Sequence, residues 1–571
     1  MVSIRTGRIK LLAIFVCLFA LILAGRLYYV QAIQSEAYSA QANSQYIRSG
    51  QTIFERGSVF FTSKTGTLIS AATLKTGYTV ALEPRKIQYP EDVYNALSGI
   101  LDLDDESLVD KIDEKTDSYR EVAKKVDEAT AERIGSLKLA GVSQFKEKWR
   151  YYPGGKTASN VLGFTGYADD GITHTGRYGL ERYYNDVLSR DSSDLYVNFF
   201  AQIFTNISGA LFDNKQSEGD IVTTIEPAVQ HELEAKLASV MAKWKSDLTG
   251  GIVMDPYTGE IVAMAVNPTF DPNDLSKEKN ASVFGNPMVD RVYEMGSIVK
   301  PLAMAAGIDA GAVTPSTTYD DKGFVLVNGA KISNYDGRAR GVVDMQKVLN
   351  DSLNTGMAFV TQKMGNKKLT EYFMDFGFGD ETGIDLPGEV HGLVSNLKSP
   401  RDIEHVTASF GQGIALTPIE TVRALSALGN GGFLPSPHLV KRINYTSGES
   451  KEISYDPSEP VLSAETSKKI TGMLVNVVDQ ALLGGSVKQK NYSIAAKTGT
   501  AQIAKETGGG YYQDRYLHSF FGYFPASKPR YIVFLFTVYP KGAEYASHTL
   551  TMPFIDLTKF LINYYEIPPD R

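Results

Sequence analysis

Apolar residues are spread unevenly along this chain. One unbroken apolar run, Leu11 to Gly25, is followed by Arg26 and then by Leu27 to Val30; Arg5, Arg8 and Lys10 precede it. A membrane-spanning helix needs about 20 residues. Residues 11–30 reach that length if Arg26 snorkels to the far interface, with Tyr28 and Tyr29 in the aromatic belt. The basic flank then leaves 1–10 in the cytoplasm and exports the rest. A cleaved signal peptide competes with this anchor, but no small-x-small cleavage site follows the run. No later stretch is apolar for long enough to span again, so the expectation is a single-pass protein with nearly all its mass outside the cytoplasm.

Beyond the anchor the pattern divides in two. Residues 31–215 read as a mixed, non-catalytic module. An amphipathic stretch from Ala32 to Arg48 opens it, and the strand-like runs Ser58–Thr62 and Gly77–Leu82 follow. The charge-rich span Asp102–Leu137 has helical spacing at Leu108, Ile112 and Val122, and Arg150 to Gly155 signals a loop. A polar boundary falls at Lys215–Asp220. Residues 216–571 change character. Two apolar runs within Thr249–Ala265 flank Pro256-Tyr-Thr-Gly259, a hairpin signature. Helical patterns cover Lys300–Ile308 and Thr417–Leu428. Strand-like runs return at Ser493–Ala496, Ser519–Phe524 and Tyr531–Tyr539, with a closing helix over Leu550–Tyr565. A few antiparallel strands surrounded by helices predict an α+β domain.

Composition narrows the function by exclusion. A chain of 571 residues exceeds what one hydrophobic core usually serves, so at least two domains are expected. The net charge of −7 offers no concentrated basic patch for nucleic acid. Cys17, the one cysteine, lies inside the apolar run and rules out an intrachain disulfide or a thiolate zinc cluster. His231-Glu-Leu-Glu-Ala235 lacks the second histidine of a metalloprotease helix. Gly154-Gly-Lys-Thr157 is half a P-loop, with Arg150 in place of its first glycine. No Gly-x-Ser-x-Gly elbow is present.

Three short motifs carry the chemistry, each common by chance. Ser-x-x-Lys puts a hydroxyl and an amine one helical turn apart, where a desolvated lysine can act as base. It occurs at Ser143/Lys146, Ser276/Lys279, Ser297/Lys300 and Ser395/Lys398. Only Ser297/Lys300 has a small, apolar setting, Met295 to Ala306. Gly296 admits close neighbours there, and Pro301 suits a first helical turn. Lys-Thr-Gly occurs at Lys64, Lys75 and Lys497; only the last follows an apolar strand, Tyr492–Ala496, and its glycine would let a substrate lie along the strand. Ser-x-Asn occurs at Ser352-Leu-Asn354, where alone a polar loop or helix cap is the simpler explanation. The order Ser297-x-x-Lys, Ser352-x-Asn, Lys497-Thr-Gly is the set of penicillin-binding proteins and class A β-lactamases, with leucine in place of the aspartate.

The chain therefore resembles a class B penicillin-binding protein over most of its length, and its active-site segment and total length resemble the septal type. Tyr293-Glu-Met-Gly-Ser-Ile-Val-Lys-Pro301, Gly377 to Glu389 and Ser409-Phe-Gly-Gln-Gly413 are similar to segments of that family. So are Arg56-Gly57, Tyr151-Tyr-Pro153 and Gly176 to Glu181 in its N-terminal module. Met295 replaces a usual proline, Asn160 stands where histidine is common, and no acidic-basic pair follows Gly57.

The resemblance implies a penicillin-binding/serine β-lactamase-like transpeptidase domain behind a pedestal or dimerisation-like module. It implies cross-linking of peptidoglycan stem peptides ending in D-Ala-D-Ala, in cell division, with β-lactams as inhibitors. Ser297 would be the nucleophile, Lys300 its base, and Ser352 the proton donor to departing D-alanine. Asn354 would hold the substrate amide, and Lys497, Thr498, Gly499 and Thr500 would line the substrate strand. Backbone N–H groups of Ser297 and Thr500 would form the oxyanion hole. No metal or cofactor is implied. The implied partners are a polytopic glycan-polymerising transferase and other division proteins in the bacterial cytoplasmic membrane. An elongation-type transpeptidase, a D,D-carboxypeptidase or β-lactamase, a penicillin sensor and a divisome scaffold are the alternatives. The short segment before the apolar run argues against a sensor, and the intact Ser297, Lys300 and Lys497 against a scaffold.

Overall fold

The computed structural model describes residues 55–571 except 102, 104, 114–118, 170–173, 191–217, 456–459, 506 and 508. The expected anchor, with Cys17, and the amphipathic stretch behind it lie outside these residues. Among the described residues no helix is long and apolar enough to cross a membrane. They form two compact units: a smaller one of Lys75–Trp149 with Glu55, and a larger one of Arg56–Leu74, Arg150–Arg190 and 218–571.

A hairpin opens the described chain, β1 (Val59–Thr62) and β2 (Leu68–Leu82), turning through Ser63-Lys-Thr-Gly66. The later part of β2 belongs to the smaller unit. There it pairs with β3 (Arg120–Val126) and β4 (Val142–Tyr151), alongside helices α1 (Pro90–Ser98) and α2 (Glu128–Ser136). Val80, Leu82, Val93, Leu97, Val122, Val126, Ala131 and Ile134 share one core. Asp127 caps α2 by accepting the Thr130 N–H at 2.9 Å. Val122 thus lies on a strand, where helical spacing is predicted. Val122 and Val126, four apart, are buried while Lys124 and Lys125 between them are exposed, where the pairing of β2 with β3 shifts register; the spacing therefore looks helical.

In the larger unit β1 also pairs in parallel with β5 (Gly219–Thr223). Arg56 and Arg150 converge on the fully buried Glu181, at 2.6 and 2.5 Å, and Tyr152 adds a hydroxyl at 3.3 Å. Burial alone would raise Glu181, but the two guanidinium charges hold it below the usual carboxylate range. Asn160 is buried as well, donating to the carbonyls of Val283 and Gly285.

The centre of this unit is an antiparallel sheet of five strands. They are β6 (Leu248–Met254), β7 (Ile261–Asn267), β8 (Ala495–Ala504), β9 (Tyr511–Phe524) and β10 (Tyr531–Val538), in the order β8-β9-β10-β6-β7. The β6–β7 hairpin turns where predicted; Asp255 accepts the N–H groups of Tyr257 and Thr258. Alternation puts Val253, Val533 and Leu535 on one face, under α3 (Pro227–Trp244) and the C-terminal helix Thr551–Tyr564. Ile252, Met254, Phe534 and Phe536 face the other way, into the core that holds α4 (Lys300–Asp309) and α5 (Asn354–Met364). Strands and helices are thus combined as the α+β reading predicts, and β8 is left as a sheet edge.

Candidate active site

Ser297 sits in a single 3₁₀ turn, Gly296–Ile298, that leads into α4. Pro301 lies in the first turn of α4, where its missing N–H removes no helical hydrogen bond. Gly296 adopts φ +63°, and a Cβ there would lie 2.8 Å from the Thr500 carbonyl oxygen. Its N–H donates to the Gly411 carbonyl at 3.1 Å. The segments 293–301 and 409–413, far apart in sequence, are therefore neighbours around the serine.

The edge strand β8 forms the second wall. Lys497 and Gly499 are buried, whereas Thr498 and Thr500 are half-buried. A Cβ on Gly499 would come within 2.7 Å of the Met295 carbonyl and 2.3 Å of Ser519 Oγ. Sequence reasoning has this glycine clear the strand for substrate; in the structure it clears the strand for the serine turn. Ser519, opposite Gly499 on β9, donates to the Met295 carbonyl at 2.8 Å. The Thr500 carbonyl faces the turn across the open edge. The N–H and C=O of one strand residue point to the same side, so the Thr500 N–H faces that edge too. Thr500 Oγ1 accepts the Ala546 N–H at 3.1 Å. His518, paired with Thr500, is buried against Thr549 and the Glu544 carbonyl, and burial pushes it down to about 4.

The third wall carries Ser352 and Asn354. Ser352 takes a left-handed conformation, φ +54°, between the short helix Met345–Asn350 and α5. Such a backbone costs about 1–3 kcal/mol in a non-glycine residue. Here it presents both polar atoms of Ser352 to one amine: Lys300 Nζ donates to the Ser352 carbonyl at 2.5 Å and to its Oγ at 3.2 Å. Lys497 Nζ donates to the same Oγ at 3.1 Å and to the Thr498 carbonyl at 2.9 Å. Asn354 donates from Nδ2 to the Ser333 carbonyl at 3.0 Å. Behind it a buried network of Asp321, Asn334 and Thr355 fixes the start of α5.

Among the described residues neither lysine has a carboxylate partner. Lys300 is 0% exposed and Lys497 is 3% exposed. Burial pushes Lys497 down to about 7. Lys300 is driven well below the ordinary lysine range, first by burial and then by the charge of Lys497. Ser297, Lys300, Ser352, Asn354 and Lys497 to Thr500 are thus gathered on three walls of one site.

The other motif copies are elsewhere. Ser143/Lys146 lies along β4, where three-residue spacing puts side chains on opposite faces. Ser276 is bonded to Asp274 in an exposed turn, and Ser395/Lys398 forms an isolated 3₁₀ turn. Lys64 marks the β1–β2 turn, and Lys75 is exposed on β2. Sequence reasoning marks the segment of Gly411 without giving it a role, and misses Ser333 and His518; these act through backbone contacts or from beneath the strand. Among the described residues no cluster of three or more His, Cys, Asp or Glu side chains is arranged for a metal ion.

Comparison with known proteins gives the family. Residues 249–555 match the model of the penicillin binding protein transpeptidase domain, and 55–220 that of the penicillin-binding protein dimerisation domain. Stage V sporulation protein D of Bacillus subtilis is 31% identical over 97% of this chain and 85% of its own length. Peptidoglycan D,D-transpeptidase FtsI of Escherichia coli K12 is 25% identical over 96% of this chain and 90% of its own. Penicillin binding protein 2X of Streptococcus thermophilus shares the fold, with a TM-score of 0.72 at 20% identity, covering 90% of this chain and 81% of that one. The chain belongs to the class B penicillin-binding protein transpeptidases.

Proposed function

We propose that this protein is a peptidoglycan D,D-transpeptidase of cell division, acting through an acyl-Ser297 intermediate. The observation that carries the reading is the convergence of two buried lysines on the Ser352 hydroxyl. A neutral amine has two hydrogens and one lone pair. The two hydrogens of Lys300 are engaged by the Ser352 carbonyl and hydroxyl, which leaves the lone pair for the proton of Ser297. Ser352 Oγ accepts from both lysines, so its own proton is free for a leaving group.

The steps follow. Ser297 Oγ bonds to the penultimate carbonyl carbon of a D-Ala-D-Ala terminus as its proton passes to Lys300. The N–H groups of Ser297 and Thr500 hold the oxyanion, at about 3 kcal/mol per donor. The C–N bond to terminal D-alanine breaks, its nitrogen taking a proton through Ser352. The amine of a second stem peptide then attacks the ester, and Ser297 regains its proton. Lys497, Thr498 and Thr500 bind the terminal carboxylate, with Gly499 letting β8 approach the serine turn, and Asn354 binds the substrate amide. β-Lactams acylate the same serine.

The basic-flanked run 11–30 supports a membrane anchor with 31–571 outside the cytoplasm. Residues 31–215 then form the pedestal module and 216–571 the transpeptidase. A glycan-polymerising membrane transferase is the expected partner. Incubating the protein with a donor ending in D-Ala-D-Ala and an amine acceptor tests the reaction. Mass spectrometry should find the cross-linked peptide and one D-alanine per bond. Hydrolysed donor alone would make the protein a carboxypeptidase.

A further inference from the structure

Glu294 is a half-buried carboxylate that the acyl transfer does not use. It lies three residues before Ser297 on the segment that enters the catalytic turn. No cation meets it. Its Oε1 accepts the Gly413 N–H at 3.1 Å, and the Tyr511 hydroxyl lies 3.0 Å from both of its oxygens. Burial raises its hold on a proton, and these two donors partly offset that. The lysine pair does not respond to it: Lys300 is governed by burial and Lys497, and Lys497 by burial alone. Glu294 is therefore not a counter-ion of the catalytic lysines. A half-buried carboxylate that meets its donors at two elements is costly to misplace, so its geometry is held.

What it joins is informative. Gly413 belongs to the loop whose Gly411 accepts the Gly296 N–H, and Tyr293 exchanges two backbone hydrogen bonds with Leu416. Tyr511 is at the far end of the β8–β9 hairpin, paired with Ala504. That end is about 13 Å along the strand from Thr500. The register shifts between Gln502 and Ala504, an irregularity that bends a strand. Beyond it the hairpin tip meets Glu294.

The two N–H groups of the oxyanion hole are carried by different elements, Ser297 on the turn and Thr500 on β8. Near the serine, strand and turn touch at Gly296 and Gly499. Up to Leu517 the hairpin is also held by β10, but its end toward Ala504 and Tyr511 runs beyond that pairing; a contact at the tip removes the freedom of that end to swing. We infer that Glu294 is a positioning residue. Through the Tyr511 hydroxyl and the Gly413 N–H it latches the hairpin tip to the catalytic turn, and so sets the separation of the Ser297 and Thr500 N–H groups. This rests on the acyl-transfer reading above.

The test is stopped-flow acylation of the full-length chain in detergent by a fluorescent penicillin, resolving the Kd of the non-covalent complex from the first-order acylation constant. Tyr511→Phe keeps the ring and deletes the hydroxyl; Glu294→Gln keeps the shape and removes the charge. Each should lower the first-order constant about tenfold and leave Kd within about twofold, because geometry in the transition state is lost and not initial binding. The double variant should be no slower than the slower single, as expected of one shared contact. A lower thermal midpoint with an unchanged first-order constant would mean a purely structural role and overturn the latch. So would effects confined to Kd. Wild type acylated at Ser297 beside equally fast variants would overturn the latch alone. Wild type that is never acylated would sink the acyl-transfer reading, and the latch with it.

Discussion

Lys300 and Lys497 aim their amines at the same atom, Ser352 Oγ, from 3.2 and 3.1 Å. Two buried ammonium groups that share one acceptor, with no carboxylate in contact, cannot both keep their protons cheaply. The site resolves this by lowering both: burial brings Lys497 down to about 7, and burial together with the charge of Lys497 drives Lys300 well below the ordinary lysine range. Their titration belongs to the pair.

The acylation rate should therefore rise with pH through an apparent value below the roughly 10.4 of free lysine. Lys497→Gln removes the neighbouring charge while Lys300 stays buried. Lys300 then holds its proton more tightly, and the rising limb moves to higher pH. The readout is the position of the limb, since amplitude also falls with loss of the carboxylate site. A limb that does not move would show that the charge of Lys497 is not felt at Lys300.

Among the three Lys-Thr-Gly copies, only Lys497 enters the site. Lys497→Ala should slow penicillin acylation by about a hundredfold or more. Lys64→Ala and Lys75→Ala should stay within about twofold of wild type. Labelling rates for the three variants side by side check this, and equal losses would contradict the placement.

Gly499→Ala puts a methyl group where the Met295 carbonyl and Ser519 Oγ already stand. Overpacking of this kind costs about 1–3 kcal/mol. It should also push β8 away from the serine turn and slow acylation by about a hundredfold. Thermal unfolding and labelling rates measure the two effects. Normal labelling would mean that the strand approaches the turn less closely than the contact implies.

Much of this was legible in the chain. The β6–β7 hairpin and the strand Tyr531–Val538 follow from short continuous apolar runs, because both of their faces are buried, and the C-terminal helix follows from its apolar pattern. The choice of Ser297 among four serines follows from its apolar setting, which is what desolvates Lys300. Val122 misleads because a register shift mimics helical spacing. The role of Gly499 is misjudged because a motif does not say which side of the strand is crowded. The resemblance marks the segments that hold Glu294 and Gly411, but their contacts are silent in the sequence, since the partners lie more than a hundred residues away.

Glu420 offers a test away from the catalytic groups. It closes a capping box with Thr417, accepts the Gly379 N–H at 2.6 Å, and burial raises it from 4.5 to about 7. A carboxyl that binds its proton more tightly in the folded chain than in the unfolded one adds stability at low pH. That contribution is lost as pH rises from about 4.5 through about 7. The thermal midpoint of wild type relative to Glu420→Gln should therefore fall across that window and level off above it. Parallel curves would show that Glu420 titrates normally.

The most direct measurement is the site and stoichiometry of penicillin acylation in wild type, Ser297→Ala and Lys300→Arg. Ser297 should carry one penicilloyl group per chain, mapped by peptide mass spectrometry. Ser297→Ala should remain folded and unlabelled. Lys300→Arg should label at least about a hundredfold more slowly, because a guanidinium does not give up its proton. An adduct on Ser143, Ser276 or Ser395, or full-rate labelling of Lys300→Arg, would contradict the assignment of nucleophile and base.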